Sequence, residues 1–198
     1  SNDVPAGGNA VLVLLDVEGD QLSSPNRATL NAAQQIASKR GAELHVCCFG
    51  ADTNSANSAG VDGATAVHTI TDESLGDGVS ESYLAAALAA LQAVPADVVV
   101  GPASTAGKGF LPRLAETLGC GMITEILSVE STDTFTRALW AGSAIATVQG
   151  QGRLVISVRA TGFDPVATQA AQPQAIAFNA PQTRLRFVGR QATESARP

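Results

Sequence analysis

The sequence predicts a doubly wound α/β domain built on a mainly parallel sheet, with added antiparallel strands. Three observations predict it. Short apolar segments alternate with helical ones from Ala10 to Val129. Those apolar segments lack a period of two, as strands covered on both faces do. Beyond Val129 the helical pattern stops, and three short strand candidates follow one another across glycine turns.

Each element has its own local reason. Ala10–Asp16 reads AVLVLLD, a buried strand. Residues 26–40 place Leu30, Ala33, Ile36 and Ala37 at helical spacing, with Pro25 just before and Gly41 just after as the stop. Residues 43–49 form a second strand, and the Ser/Asn/Ala stretch 52–60 a weak helix. Residues 64–70 make a third strand. The Ala- and Leu-rich stretch 80–94 is the clearest helix, closed by Pro95. DVVVG at 97–101 is a fourth buried strand, 106–118 a helix ended by Gly119, and 122–129 a fifth strand. Residues 134–140, Ala144–Gln149 and 154–159 are then expected as an antiparallel meander. From Asp164 the composition turns to Ala, Gln and Pro. The expected division is therefore a domain at 1–165 and an extended linker and tail at 166–198, with 185–188 as a last short strand.

Composition narrows the function classes. The chain of 198 residues is 45% hydrophobic, 15% charged and 4% aromatic, with net charge −6. The charge is uneven: 12 acidic and 3 basic residues up to Val100, then 6 acidic and 9 basic. A net acidic chain without a basic stripe argues against nucleic acid. Four tail arginines, Arg184, Arg186, Arg190 and Arg197, read as solvated. Cys47, Cys48 and Cys120 are odd in number, and two are adjacent on a strand, so no disulfide framework fits. No apolar run approaches the ~18–20 residues of a membrane span, so membrane insertion is not expected.

Motifs of chemistry are sparse. The loop from Gly101 to Gly109 invites comparison with a Walker A phosphate loop. It fails twice: five residues separate Gly101 from Gly107, and Gly109 replaces the hydroxyl residue that holds magnesium. A weaker anion site at a helix N-terminus survives, formed by Ser104, Thr105, Gly107 and Lys108. Its competitor is plain capping by Ser104 or Thr105 with a solvated Lys108, the commoner use of such residues. After the first strand, DVEGD offers one glycine and extra acids where a dinucleotide fold carries three glycines. His45 and His68 stand on different strands with no second ligand at metal spacing and read as structural. No Gly-x-Ser-x-Gly elbow supports a hydrolase. Arg113, Arg137 and Arg159 sit in small or apolar surroundings, with Trp140 close by in sequence. An arginine so placed pairs with a carboxylate inside the fold or across an interface, and arginine beside tryptophan makes a contact hot spot.

Three segments together resemble a known family. ASTAGKGFLPRLA at 103–115 is similar to the T-x-x-G-K-x-x-x-P-R-x-A segment of electron transfer flavoprotein alpha subunits. TFTRALWAGSA at 134–144 resembles their F-x-R-P-x-Y-A-G-N-A turn, and SVRATGF at 157–163 their V-R-x-T-x-F strand end. Ala138, Trp140 and Ser143 depart from that turn's Pro, Tyr and Asn. The resemblance runs from Ala10 to Phe163 and implies a Rossmann-like domain of the adenine nucleotide alpha hydrolase kind, without catalytic residues of its own. It implies that Ser195-Ala-Arg-Pro198 corresponds to the point where relatives continue into an FAD domain. FAD is then expected in the complete protein and none on this chain alone. The implied role is a scaffold that assembles with a beta subunit. The complete protein would carry electrons from acyl-CoA or other dehydrogenases to a quinone oxidoreductase, in the bacterial cytoplasm or the mitochondrial matrix. The other reading is a nucleotide-binding module of the universal stress protein type, which requires a phosphate-cradling loop that 104–109 only partly matches.

Overall fold

The computed structural model describes residues 4, 7–76, 80–139, 143–182 and 189. In chain order the elements are β1 (Ala10–Asp16), α1 (Ser24–Arg40), β2 (Glu43–Gly50), β3 (Ala64–Thr71), α2 (Ser80–Ala93), β4 (Val98–Pro102) and α3 (Thr105–Leu118). Then come β5 (Gly121–Val129), β6 (Thr134–Leu139), β7 (Ala144–Gln149), β8 (Leu154–Val158) and β9 (Gln174–Ala175). The stretch expected as a weak helix is a 3-10 turn, Asn54–Ser58.

Among the described residues all nine strands join one sheet, in the order β7-β6-β5-β8-β4-β1-β2-β3-β9. It is mostly parallel, and β5-β6-β7 pair antiparallel. One core lies on the face packed by α1, with Leu30, Ala33 and Ile36 against Val11, Val13 and Ile156. A second lies on the opposite face, where α2 and α3 bring Tyr83, Leu91, Phe110 and Leu114 against Leu12, Phe49 and Val99. Burial on both faces explains the unbroken apolar strands.

The helices begin and end as their sequences dictate. Ser23 caps α1 by accepting from the Asn26 amide, Pro25 occupies its first turn, and Gly41 ends it in the left-handed region at φ 58°. Ser104 and Gly119 do the same for α3.

The structure corrects the expected meander. Only β6 and β7 are antiparallel additions; β8 lies inside the sheet, parallel to both β4 and β5. The physical reason is in its residues. All five of LVISV are buried, whereas β7 is largely exposed, as an edge strand is. The 166–182 segment runs extended along the fold. The Gly60 and Gln169 backbones exchange hydrogen bonds, and β9 pairs with β3. Residues 185–188 and Trp140 lie outside the described residues.

Candidate functional site

The chain reverses direction across the sheet between β4 and β1, the place where open α/β sheets form their crevice. A cleft of about 610 Å³ opens there at the carboxyl ends of the strands. Asp16 ends β1, Glu18 and Asp52 stand on the following loops, and Ser104 and Thr105 open α3 on the opposite wall. Three carboxyl groups around this cavity make it unfavourable for phosphate.

Asp16 is perturbed by its surroundings. Burial pushes its carboxyl above the ordinary 3.8, the Tyr83 hydroxyl opposes that shift, and the charge of Glu18 adds to it. Tyr83 Oη lies 3.2 Å from Asp16 Oδ1 and also meets the Leu75 carbonyl oxygen. One hydroxyl proton thus serves two acceptors, so the carboxylate is under-solvated. Asn26 Nδ2 donates to the Asp16 carbonyl at 2.9 Å, tying the start of α1 to the end of β1.

The loop entering α3 has a defined geometry. Ser104 Oγ accepts from the Gly107 amide at 3.1 Å, so one free amide of the helix start is already satisfied. Gly107 is required by close approach: a Cβ there would stand 2.0 Å from the Pro102 carbonyl oxygen. Lys108 is exposed and reaches Glu125, Nζ to Oε1 3.7 Å. Ser104 and Thr105 therefore face the cleft while Lys108 turns to β5.

A second feature surrounds the irregularity in β5. Its pairing with β8 and with β6 shifts register on either side of Ile126. Glu125 there has φ 53°, the left-handed region that residues with a side chain enter only at a cost. Its amide donates to Ser157 Oγ at 2.7 Å, which fixes the turn. Ile126 pairs with Arg137 on one side, and its carbonyl accepts from the Arg159 amide at 3.0 Å on the other. The structure thus gathers Lys108, Arg137 and Arg159 about this bulge, while Arg113 stands exposed on α3. Among the described residues, none of these three arginines makes an ion pair, and the buried Arg137 Nε has no hydrogen-bond partner. On the edge strand β7, Ile145, in register with Ala138, is 69% exposed. Phe135, fully buried, anchors β6 to the α1-side core.

The sequence reading missed one constellation. His45 and His68 are neighbours, with His45 Nδ1 3.1 Å from His68 Nε2 and Glu43 Oε2 3.0 Å from His45 Nε2. Half of the signal was present, since Glu43 and His45 are two apart and share a strand face; the register of β2 with β3 that brings His68 to that face is a feature of the fold. Among the described residues, no group of three or more His, Cys, Asp or Glu is arranged to hold a metal.

Fold and crevice define a doubly wound α/β domain carrying an antiparallel appendage and an acidic switch point. The comparisons with known proteins give the family. Residues 11–183 match the electron transfer flavoprotein domain, and the chain belongs to that family. It is 34% identical over 194 residues to the Pseudomonas aeruginosa electron transfer flavoprotein subunit alpha, covering 96% of this chain and 61% of that protein. It is 29% identical over 198 residues to the probable mitochondrial subunit alpha of Caenorhabditis elegans, covering 96% and 58%. A 79-residue stretch is 40% identical to the mitochondrial subunit alpha of Dictyostelium discoideum, covering 39% of this chain and 22% of that protein. The chain spans about three fifths of the length of the first two relatives. No helix among the described residues is long and apolar enough to cross a membrane.

Proposed function

We propose that this chain is the scaffold and assembly domain of an electron transfer flavoprotein, and that it pairs with a beta subunit through the β5–β7 side of its sheet. The observation that supports this is the bulge-centred region: Arg137 on the appended β6 and Arg159 just beyond β8 make no ion pair among the described residues, and the appended edge strand β7 is largely exposed, with Ile145 open. Strands added at a sheet edge either cover it or meet a partner, and exposed β7 leaves the edge uncovered. Arginines left without carboxylates inside the domain find them across an interface at a small cost in desolvation.

In this reading the complete protein accepts electrons from dehydrogenases, holds them on FAD and passes them to an acceptor such as a quinone oxidoreductase. Residues of this chain supply the platform and take no catalytic role. The anion site at Ser104, Thr105, Gly107 and Lys108 is a minor feature of that platform, since capping and Glu125 already use two of its groups. The universal stress protein alternative needs a cleft receptive to phosphates, which the carboxyl groups of Asp16, Glu18 and Asp52 oppose.

The experiment is co-expression of this chain with an electron transfer flavoprotein beta subunit. The expected result is a one-to-one complex on gel filtration and a colourless chain when purified alone. A chain that elutes alone beside the beta subunit, or that carries stoichiometric flavin by itself, overturns the proposal.

A further inference from the structure

Glu43, His45 and His68 form a chain of three polar groups on the sheet face that also carries Cys47 and Phe49. The carboxylate of Glu43 accepts a hydrogen bond from His45 Nε2–H, which leaves the neutral ring's Nδ1 as a bare acceptor. His68 Nε2 then donates to it across 3.1 Å. With both rings neutral every facing nitrogen is satisfied. One added proton keeps an N–H between the two rings. A second added proton places two N–H groups head to head, and two imidazolium charges in contact.

The pair sits where the extended 166–182 segment is fastened. His68 is in register with Gln174 of β9, and the Ile176 amide donates to the Thr69 carbonyl at 2.8 Å. Ile176 and Phe178 pack on the same core that holds Cys47 and Ile70. Residues two apart share a strand face, so Gln174 and Ile176 lie over the side of β3 to which His68 belongs. If His68 is driven away from His45, the sheet edge is its way out, and that edge is covered by β9, with Gln174 in register with His68 and Ile176 packed on the same core.

We propose that Glu43, His45 and His68 form a proton-operated latch that holds the β9 segment on the β3 edge when the pair carries at most one added proton and releases it when both rings are charged. Among the described residues, the elements packed around the pair carry few other charged groups. β1 carries only Asp16, at its far end, and β9 carries none. The turn Asn54–Ser58 has none, Glu73 follows the far end of β3, and α2 brings Glu81 in its first turn. Cys47, in register with His68, is buried, and burial pushes its thiol up, so it stays neutral. Among the described residues Glu43 is thus the one carboxylate bonded to the pair, and it compensates only one added charge. Burial, reinforced by charge on His45, pulls His68 below its ordinary 6.5, which places opening on the acid side of neutrality.

Hydrogen exchange on the intact chain tests the latch. After correction for intrinsic rates, protection of the Ile176 amide is expected to fall about tenfold or more between about pH 7.5 and about pH 5, with β1 amides unchanged. His45→Gln is expected to flatten that dependence, and Glu43→Gln to move opening to higher pH. Ile176 protection that is flat in the wild type, or that falls equally in His45→Gln, overturns the latch. Ring-proton titration of the wild type guards against a variant that fails to fold. Two separated steps, each seen at both rings, are expected; independent titration of the two rings overturns it.

Discussion

Gly107 and Gly109 sit two residues apart in α3, and alanine at each position separates close approach from helix propensity. Alanine is favoured over glycine inside a helix by about 0.8–1 kcal/mol, so propensity alone predicts that both changes stabilise. At Gly109 the added methyl meets only Ser80 Oγ at 2.8 Å, the end of a side chain that can rotate. Gly109→Ala is therefore expected to fall between neutral and about 1 kcal/mol more stable. At Gly107 the methyl meets the Pro102 carbonyl oxygen at 2.0 Å, backbone that does not rotate away. Restoring an ordinary 3.4 Å contact moves the first turn of α3 by about 1.4 Å, enough to break the 3.1 Å Ser104–Gly107 cap. Overpacking costs about 1–3 kcal/mol. Loss of the cap adds about 1 kcal/mol, and the propensity gain offsets about 1 kcal/mol. The net expectation is about 1–3 kcal/mol of destabilisation, a urea midpoint lower by roughly 1 M at a slope near 2 kcal/mol/M. Urea unfolding of both variants, followed by circular dichroism, reads the difference. A Gly107→Ala protein unfolding at the wild-type midpoint, or the two variants moving together, refutes the argument from close approach.

Three further outcomes follow from other parts of the fold. Arg137→Met removes a buried, unbonded Nε, so the isolated domain should hold or gain up to ~1 kcal/mol in chemical denaturation; association with the beta subunit should weaken by ~2 kcal/mol or more by calorimetry. The folded value of Asp16 is raised above 3.8, so the folded chain binds this proton more tightly than the unfolded chain. Its ionisation lowers stability as pH rises from 3.8 through the folded value, and Asp16→Asn should be the more stable protein at about pH 7, with its advantage shrinking towards about pH 4. Cys47 and Cys48 are buried, and burial pushes the Cys48 thiol up to about 12. Iodoacetamide on the native protein should label Cys120 first by mass spectrometry, with the other two reacting only on unfolding; equal labelling of all three would contradict this burial.

The doubly wound core was legible because its strands are unbroken apolar runs and its helices carry strong end signals. AVLVLLD and DVVVG leave little choice but burial on both faces, and Gly41 and Gly119 mark left-handed caps that the structure reproduces at φ 58° and φ 64°. The error at 154–159 came from weighing chain proximity over composition. Short glycine turns on both sides imply neighbours in space, yet LVISV has the all-buried pattern of a central strand. The bulge at Glu125 was not legible, since a positive φ at a glutamate leaves no mark in local sequence and depends on Ser157, 32 residues away. The histidine pair needed inter-strand register, which periodicity along one strand does not supply. Arg137 and Arg159 were singled out for their apolar surroundings, and the pairing of β5 with β6 and its hydrogen bond from Arg159 put both beside Ile126.

The placement of β8 also sets an order of events during synthesis. A nascent chain that has emerged only as far as Gly150 holds two half-sheets, β3-β2-β1-β4 and β5-β6-β7, each ending in an apolar strand whose neighbour has yet to be made. Val98–Pro102 and the Ile123–Ile126 stretch then present open edges to any passing strand. Only when Leu154–Val158 leave the ribosome can the halves be stitched together, by a strand whose partners in β4 lie more than fifty residues earlier. Until then the two edges are the natural targets of a holdase chaperone, and translation stalled between residues 150 and 158 leaves a chain primed to pair with another copy of itself.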